Sequence, residues 1–133
     1  MIGLDTNVLV RYIVRDDPKQ AAVATEVIEK RCTLETPGWI NLIVVCELTW
    51  VLQRVYNLPR GSIAGVLETI LTSNELKVES ADTVWQALRK FRKGPADMAD
   101  YLIGARNALH DAGPTFTFDK RAAADPDFHL LAT

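Results

Sequence analysis

The chain has 133 residues, 48% of them hydrophobic, 24% charged and 8% aromatic, with 15 Lys+Arg against 17 Asp+Glu and a formal net charge of −2. That length predicts one domain, residues 1–133, large enough to bury a core without disulfide or metal staples. The composition excludes disordered, collagen-like and low-complexity classes. The charge balance lacks the strongly basic footprint of a general nucleic-acid binder, although a local basic patch is compatible with it. Cys32 and Cys46 form no Cys-x-x-Cys pattern and His110 and His129 stand alone, so the common zinc spacings are absent. The first residues lack the charged and apolar regions of a secretory leader. The most apolar run, Leu42–Cys46, is cut by Glu47 far short of the roughly 20 residues that span a bilayer. A cytoplasmic protein with reduced thiols and no membrane contact is expected.

In chain order, Ile2–Leu4 predicts a buried strand ending at Asp5. Thr6–Val14 carries Val8, Leu9, Tyr12 and Ile13 at helical spacing. Asp16-Asp17-Pro18 closes that helix and opens the next, with Asp17 as N-cap and Pro18 at the first helical position. Ala21–Lys30 continues as a helix, and Leu34-Glu35-Thr36 reads as a short strand before the Pro37-Gly38 turn. Trp39–Tyr56 reads as one long helix, broken at Asn57-Leu58-Pro59. Arg60–Ser73 predicts a helix, Leu76–Val78 a strand, Ala81–Phe91 a helix ending near Gly94-Pro95, and Ala96–Ala112 a further helix with Gly104 allowing close packing. Thr115–Phe118 alternates like a strand and stops at Asp119. Strands alternating with helices predict an α/β sandwich with a small, mainly parallel sheet, in which ligands collect at the carboxyl ends of strands.

Several carboxylates stand at such places. Asp5 follows the first strand, where it suits an N-cap as well as a ligand. Glu47 lies in a helix apolar on most sides, so it needs a cation, a metal or a water-filled cleft, Arg54 or Arg11 being the alternative partners. Asp97 and Asp100, three apart, share a face of a helix's first turn; cap and N3 roles account for them, and cation binding can coexist with capping. Asp119 ends the last predicted strand and can equally start a turn. Converging carboxylates raise one another's pKa unless a cation neutralises them, and hard divalent ions with oxygen ligands match such a set.

Four segments together resemble the PIN-domain ribonucleases, and specifically the VapC-type toxins of toxin–antitoxin pairs: Gly3-Leu4-Asp5-Thr6-Asn7-Val8-Leu9, Val45-Cys46-Glu47-Leu48, Ala96-Asp97-Met98-Ala99-Asp100-Tyr101-Leu102-Ile103 and Thr115-Phe116-Thr117-Phe118-Asp119-Lys120. The resemblance runs from the first strand to Asp119 and leaves the tail after about Arg121 unread. It implies a PIN-like three-layer α/β/α sandwich and an acidic quartet of Asp5, Glu47, Asp100 and Asp119, with Asp97 as an additional acid. Metal ligands would be Asp5, Asp97, Asp100 and Asp119; Thr6, Asn7 and Thr117 fall on supporting polar positions. Asn41 departs from the small hydroxyl residue of many relatives. The implied activity is Mg²⁺- or Mn²⁺-dependent endoribonuclease chemistry, in which the cation binds the scissile phosphate and activates water, while Glu47 would orient that water or complete a second metal shell.

An acidic site repels RNA, so attraction has to come from elsewhere. Arg89, Lys90, Arg92 and Lys93 precede the acidic helix, and Arg11 and Arg15 lie one helix from Asp5; all six are RNA-contact candidates. A solvated helix end complementing the dipole is the other reading of the 89–93 cluster. Trp39, Trp50 and Trp85 read as core or interface packing. The resemblance further implies a VapB-like antitoxin partner, a homodimer, and DNA contact only through the antitoxin. A PIN-like module that binds RNA or protein without catalysis is the alternative, but it would be expected to lack one of the acids.

Overall fold

The computed structural model describes all 133 residues, and its helix starts follow the caps written in the sequence. Asp5 accepts from the Thr6 N–H at 2.7 Å, Asp17 from Gln20 at 3.1 Å with Pro18 inside the first turn, and Asn41 from Val44 at 2.9 Å. Each such acceptor satisfies an amide that the helix itself leaves unpaired. The chain divides into two compact units, Met1–Ala81 and Asp82–Thr133.

The first unit runs β1 (Ile2–Gly3), α1 (Thr6–Val14), α2 (Pro18–Glu26) with a wide π-type continuation over Val27–Arg31, β2 (Gly38–Ile40), α3 (Leu42–Arg54), α4 (Arg60–Thr72) and β3 (Leu76–Val78). The strands form a parallel sheet in the order β1-β2-β3, with Ile2 opposite Gly38 and Gly38 opposite Leu76. Leu9, Ile40, Leu48, Leu52 and Ile63 are fully buried. Gly38 is required by close approach: a Cβ there would sit 2.8 Å from Leu4 and from Leu76 side-chain carbons.

The second unit runs α5 (from Ala81, to Lys93), α6 (Met98–Leu109), β4 (Thr115–Thr117), a 3₁₀ turn at Ala122–Ala124 and β5 (Phe128–Leu130), with β4 and β5 parallel. Val84, Leu88 and Met98 fill its core. Gly104 does permit close packing, but against a strand: an added Cβ would lie 2.7 Å from the Phe128 ring. Lys90 ties α5 to the tail, its Nζ meeting Asp125 at 3.0 Å and Asp127 at 2.8 Å.

Six helices and short, all-parallel strands are the α/β content of an α/β/α sandwich. No helix is long and apolar enough to cross a membrane. One sequence expectation fails and two open readings are resolved. Leu34–Thr36 is not a strand; the strand is Gly38–Ile40, so Trp39 belongs to the sheet and the long helix begins only at Leu42. The tail after Arg121 contributes β5, which nothing in its own pattern announced. Trp50 is not core, being 55% exposed on α3.

Candidate functional site

Asp5 and Glu47 of the first unit line one cavity of about 430 Å³ together with Thr6 and Asn7. Asp5 reaches it because β1 ends at Gly3 and α1 begins at Thr6, which leaves the cap at the carboxyl end of a strand. It is exposed and makes only the capping bond to Thr6. Glu47 was expected inside an apolar helix; it is exposed, with neither Arg54 nor Arg11 paired to it. The reason is that α3 turns apolar residues outward as well as inward. Val44, Val45 and Leu48 are buried, whereas Ile43 is 77% exposed. Thr6 is 5% exposed and its hydroxyl has no hydrogen-bond partner, an arrangement that costs free energy unless a ligand or water meets it.

The acids of the second unit sit in a different environment. Asp97 is the N-cap of α6 and Asp100 its N3 residue, whose carboxylate accepts the Asp97 N–H at 3.3 Å in a capping-box arrangement. Asp119 follows β4 and starts the 3₁₀ turn, its Oδ1 accepting from the Arg121 N–H at 2.8 Å and the Ala122 N–H at 3.4 Å. Thr117 supports it by accepting the Asp119 N–H on its hydroxyl at 3.0 Å. Asp100 is half-buried and its carboxyl is pushed above the usual carboxylate value. Burial is the largest cause, with the negative charges of Asp119 and Asp97 adding to it, while the Asp97 N–H and Arg121 oppose it. In neither unit do three or more carboxylate, His or Cys side chains converge closely enough to hold a metal ion.

The donors nevertheless suit a hard divalent cation. They are all oxygens, Asp100 is half-buried with the like charges of Asp97 and Asp119 acting on it, and the buried Thr6 hydroxyl next in sequence to Asp5 has no hydrogen-bond partner.

The basic candidates separate. Lys90 is withdrawn from any RNA face, because its ammonium is held between Asp125 and Asp127; burial works against its charge, but these two partners leave its pKa raised. Arg89, Arg92 and Lys93 are exposed at the end of α5. Arg11 lines the Asp5–Glu47 cavity, whereas Arg15 is engaged with Thr25 Oγ1 at 3.0 Å. Asn41, the departure from the family pattern, caps α3, a task that a small hydroxyl residue performs equally. Two residues were missed from sequence. Tyr56 lines the same cavity as Asp5, and Arg121 bears on Asp100 and Asp119. Their only local signals are a tyrosine just before the Asn57-Leu58-Pro59 break and a basic pair directly after Asp119.

Compared with known protein families, the chain matches the PIN domain over residues 2–127, and it belongs to that family. PIN domains are generally metal-dependent nucleases. No curated protein and no solved structure matches the chain significantly.

Proposed function

We propose that this PIN-domain chain, as one domain over residues 1–133, is a Mg²⁺- or Mn²⁺-dependent endoribonuclease acting as the toxin of a VapBC-like pair. The observation that carries the reading is Asp100. A half-buried carboxylate crowded by Asp97 and Asp119 is a poor arrangement for a resting protein and a favourable one for a protein that binds a divalent cation. When bound, that cation lowers the pKa of water and stabilises charge on the phosphate.

The chain's own residues do the rest. Asp5, Asp97, Asp100 and Asp119 are the residues that would hold the cation; Asp100 and Asp119 each already accept a backbone N–H bond on one oxygen. Glu47 has no protein partner, so its carboxylate accepts a hydrogen bond from the attacking water and orients it. Water adds to phosphorus, the P–O3′ bond breaks and O3′ takes up a proton, leaving 5′-phosphate and 3′-hydroxyl ends. Thr6 and Asn7 supply polar contacts beside Asp5, and Thr117 steadies Asp119. Arg11, Arg89, Arg92 and Lys93 offset the repulsion between these acids and RNA.

A VapB-like antitoxin and a homodimer belong to the same proposal, with DNA reached only through the antitoxin. Their support is exposed apolar surface, Ile43 and Trp50 on α3, and a cavity of about 560 Å³ lined by Ile13, Val66 and Ile70 of α1 and α4. The deciding experiment is incubation of total cellular RNA with the purified chain in Mg²⁺, in Mn²⁺ and in EDTA, beside Asp5→Asn. Discrete metal-dependent fragments with 5′-phosphate ends, absent in the variant, are expected. RNA that is bound but never cut would favour a catalytically silent PIN module. Cleavage that persists in EDTA and in Asp5→Asn would overturn the acid assignment.

A further inference from the structure

Asp97 and Asp100 sit where α6 begins and Asp119 sits just past β4, so the spacing of the three acids depends on what joins those two places. The segment that starts at Asp119 is weakly held by its own secondary structure. It consists of a three-residue 3₁₀ turn and a three-residue strand paired with β4, and a two-stranded pair is marginal by itself. Short bonds tie the segment together internally. The Ala123 N–H donates to the Asp119 carbonyl, the Asp125 N–H to that of Ala122 and the Phe128 N–H to that of Asp125, each at 3.0 Å. Ala122 and Phe128 are buried, but apolar contact is non-directional and does not alone fix where the segment lies along a helix.

Lys90 of α5 supplies a directional contact. Its ammonium donates to Asp127 Oδ2 at 2.8 Å and to Asp125 Oδ1 at 3.1 Å. Asp125 Oδ1 also accepts the Asp127 N–H at 2.8 Å, which locks the two carboxylates to each other. The Asp125 side chain is only 9% exposed, and a carboxylate so little solvated needs a cation beside it. The Lys90 carbonyl meanwhile accepts the Gly94 N–H at 2.8 Å, at the entrance to the loop that leads to Asp97. Tyr101 of α6 closes that loop, its hydroxyl accepting the Ala96 N–H at 3.1 Å. One residue therefore holds the Asp119 segment by its side chain and the approach to Asp97 and Asp100 by its backbone. The charges of Asp97 and Asp119 both act on Asp100, so the three acids lie within electrostatic reach of one another.

We propose that Lys90 is a positioning residue: by fastening Asp125 and Asp127 to α5 it sets the place of Asp119 relative to Asp97 and Asp100, and through that the affinity for a divalent cation. The proposal rests on the metal-dependent nuclease reading and adds to it a residue that acts through others. Partners of this kind, one step behind the ligands, commonly govern metal affinity because they fix the orientation in which the ligands wait.

The test uses the full chain and two readouts that need no turnover. The first is Mn²⁺ affinity, from the electron paramagnetic resonance signal of free Mn²⁺. Lys90→Met should weaken it about tenfold. Lys90→Arg, which keeps a cation able to bridge two carboxylates, should restore most of it. Val84→Ala, which removes buried volume from the same unit, is the control for stability and should leave it unchanged. The second readout is amide hydrogen exchange without metal. The Ala123 N–H, bonded to Asp119, should exchange about tenfold faster in Lys90→Met than in the parent. Unchanged Mn²⁺ affinity in Lys90→Met, or an equal loss in Val84→Ala, would overturn the positioning role, as would unchanged exchange at Ala123. A parent chain that binds Mn²⁺ but cuts no RNA, with both Lys90→Met effects present, would instead overturn the nuclease reading and leave Lys90 in its role. Metal-dependent cleavage by the parent, with neither readout moved by Lys90→Met, would do the reverse.

Discussion

The same residue type is held in opposite ways in the two units. Asp5 and Glu47 are exposed, and apart from the Asp5 cap on Thr6 neither has a partner. Asp100 and Asp119 are tied to backbone amides at the starts of α6 and the 3₁₀ turn, and Asp100 is half-buried beside the like charges of Asp97 and Asp119. A solvated, uncommitted carboxylate can exchange hydrogen bonds with water at little cost, which suits Glu47 for handling the nucleophile. A crowded and partly desolvated one is stabilised by a cation, which suits Asp100 for binding one. In the proposed reaction, environment rather than identity would divide the labour among the acids.

The sharpest break of this contrast is Asp100→Asn. Removal of a metal-binding carboxylate should take RNA cleavage below detection and abolish the Mn²⁺-induced rise in melting temperature; gel assays and thermal scans with and without Mn²⁺ read the two effects. Glu47→Gln comes next. It should lower cleavage about a hundredfold, the scale of losing a positioned general base, while leaving the Mn²⁺ shift in place. A Glu47→Gln protein that loses the Mn²⁺ shift would move Glu47 to the metal-binding side of the comparison.

Lys90→Met tests the scaffold instead. It leaves Asp125, whose side chain is only 9% exposed, without its cation. Because Lys90 is itself 35% exposed, the expected loss is about 1–2 kcal/mol in urea unfolding, less than for a fully buried pair. RNA affinity of Lys90→Met should fall less than that of an Arg89, Arg92 and Lys93 triple substitution.

The smallest effect concerns the metal-free chain. The Asp100 carboxyl titrates above its unfolded value, so its contribution to stability is fully present below the ordinary carboxylate range and is lost as pH rises through the raised value. Asp100→Asn should therefore match the parent at acid pH. At neutral pH without metal it should exceed the parent by a few tenths of a kcal/mol, screening by solvent keeping the gain small. Parallel chemical denaturation at the two pH values in EDTA checks the sign.

How much of this was legible in the sequence follows from distance along the chain. Thr6–Val14 and Leu76–Val78 were read at their observed bounds, and Asp17-Pro18 marked the start of α2, because caps and periodicity act within a few residues. Trp39 and Ile40 form an apolar run too short for periodicity to distinguish strand from helix, and only pairing with β1 and β3 makes them strand. β5 exists by pairing Phe128–Leu130 with Thr115–Thr117 across the intervening turn, a non-local contact that its own residues do not encode.

The candidate site divides in the same way. Its acids were identifiable from type and spacing, since Asp5, Asp97 and Asp119 stand at element ends that local rules predict. The environment of each acid belongs to tertiary structure. Glu47 faces water because of how α3 packs, Asp100 is crowded because β4 ends near the start of α6, and Lys90 is engaged by carboxylates 35 and 37 positions away. The sequence by itself determined the α/β class, the caps and the identity of the acids, all consequences of short-range chemistry. Tertiary structure alone decided which charges are solvated, crowded or paired, because desolvation and Coulomb interactions depend on separation in space rather than along the chain.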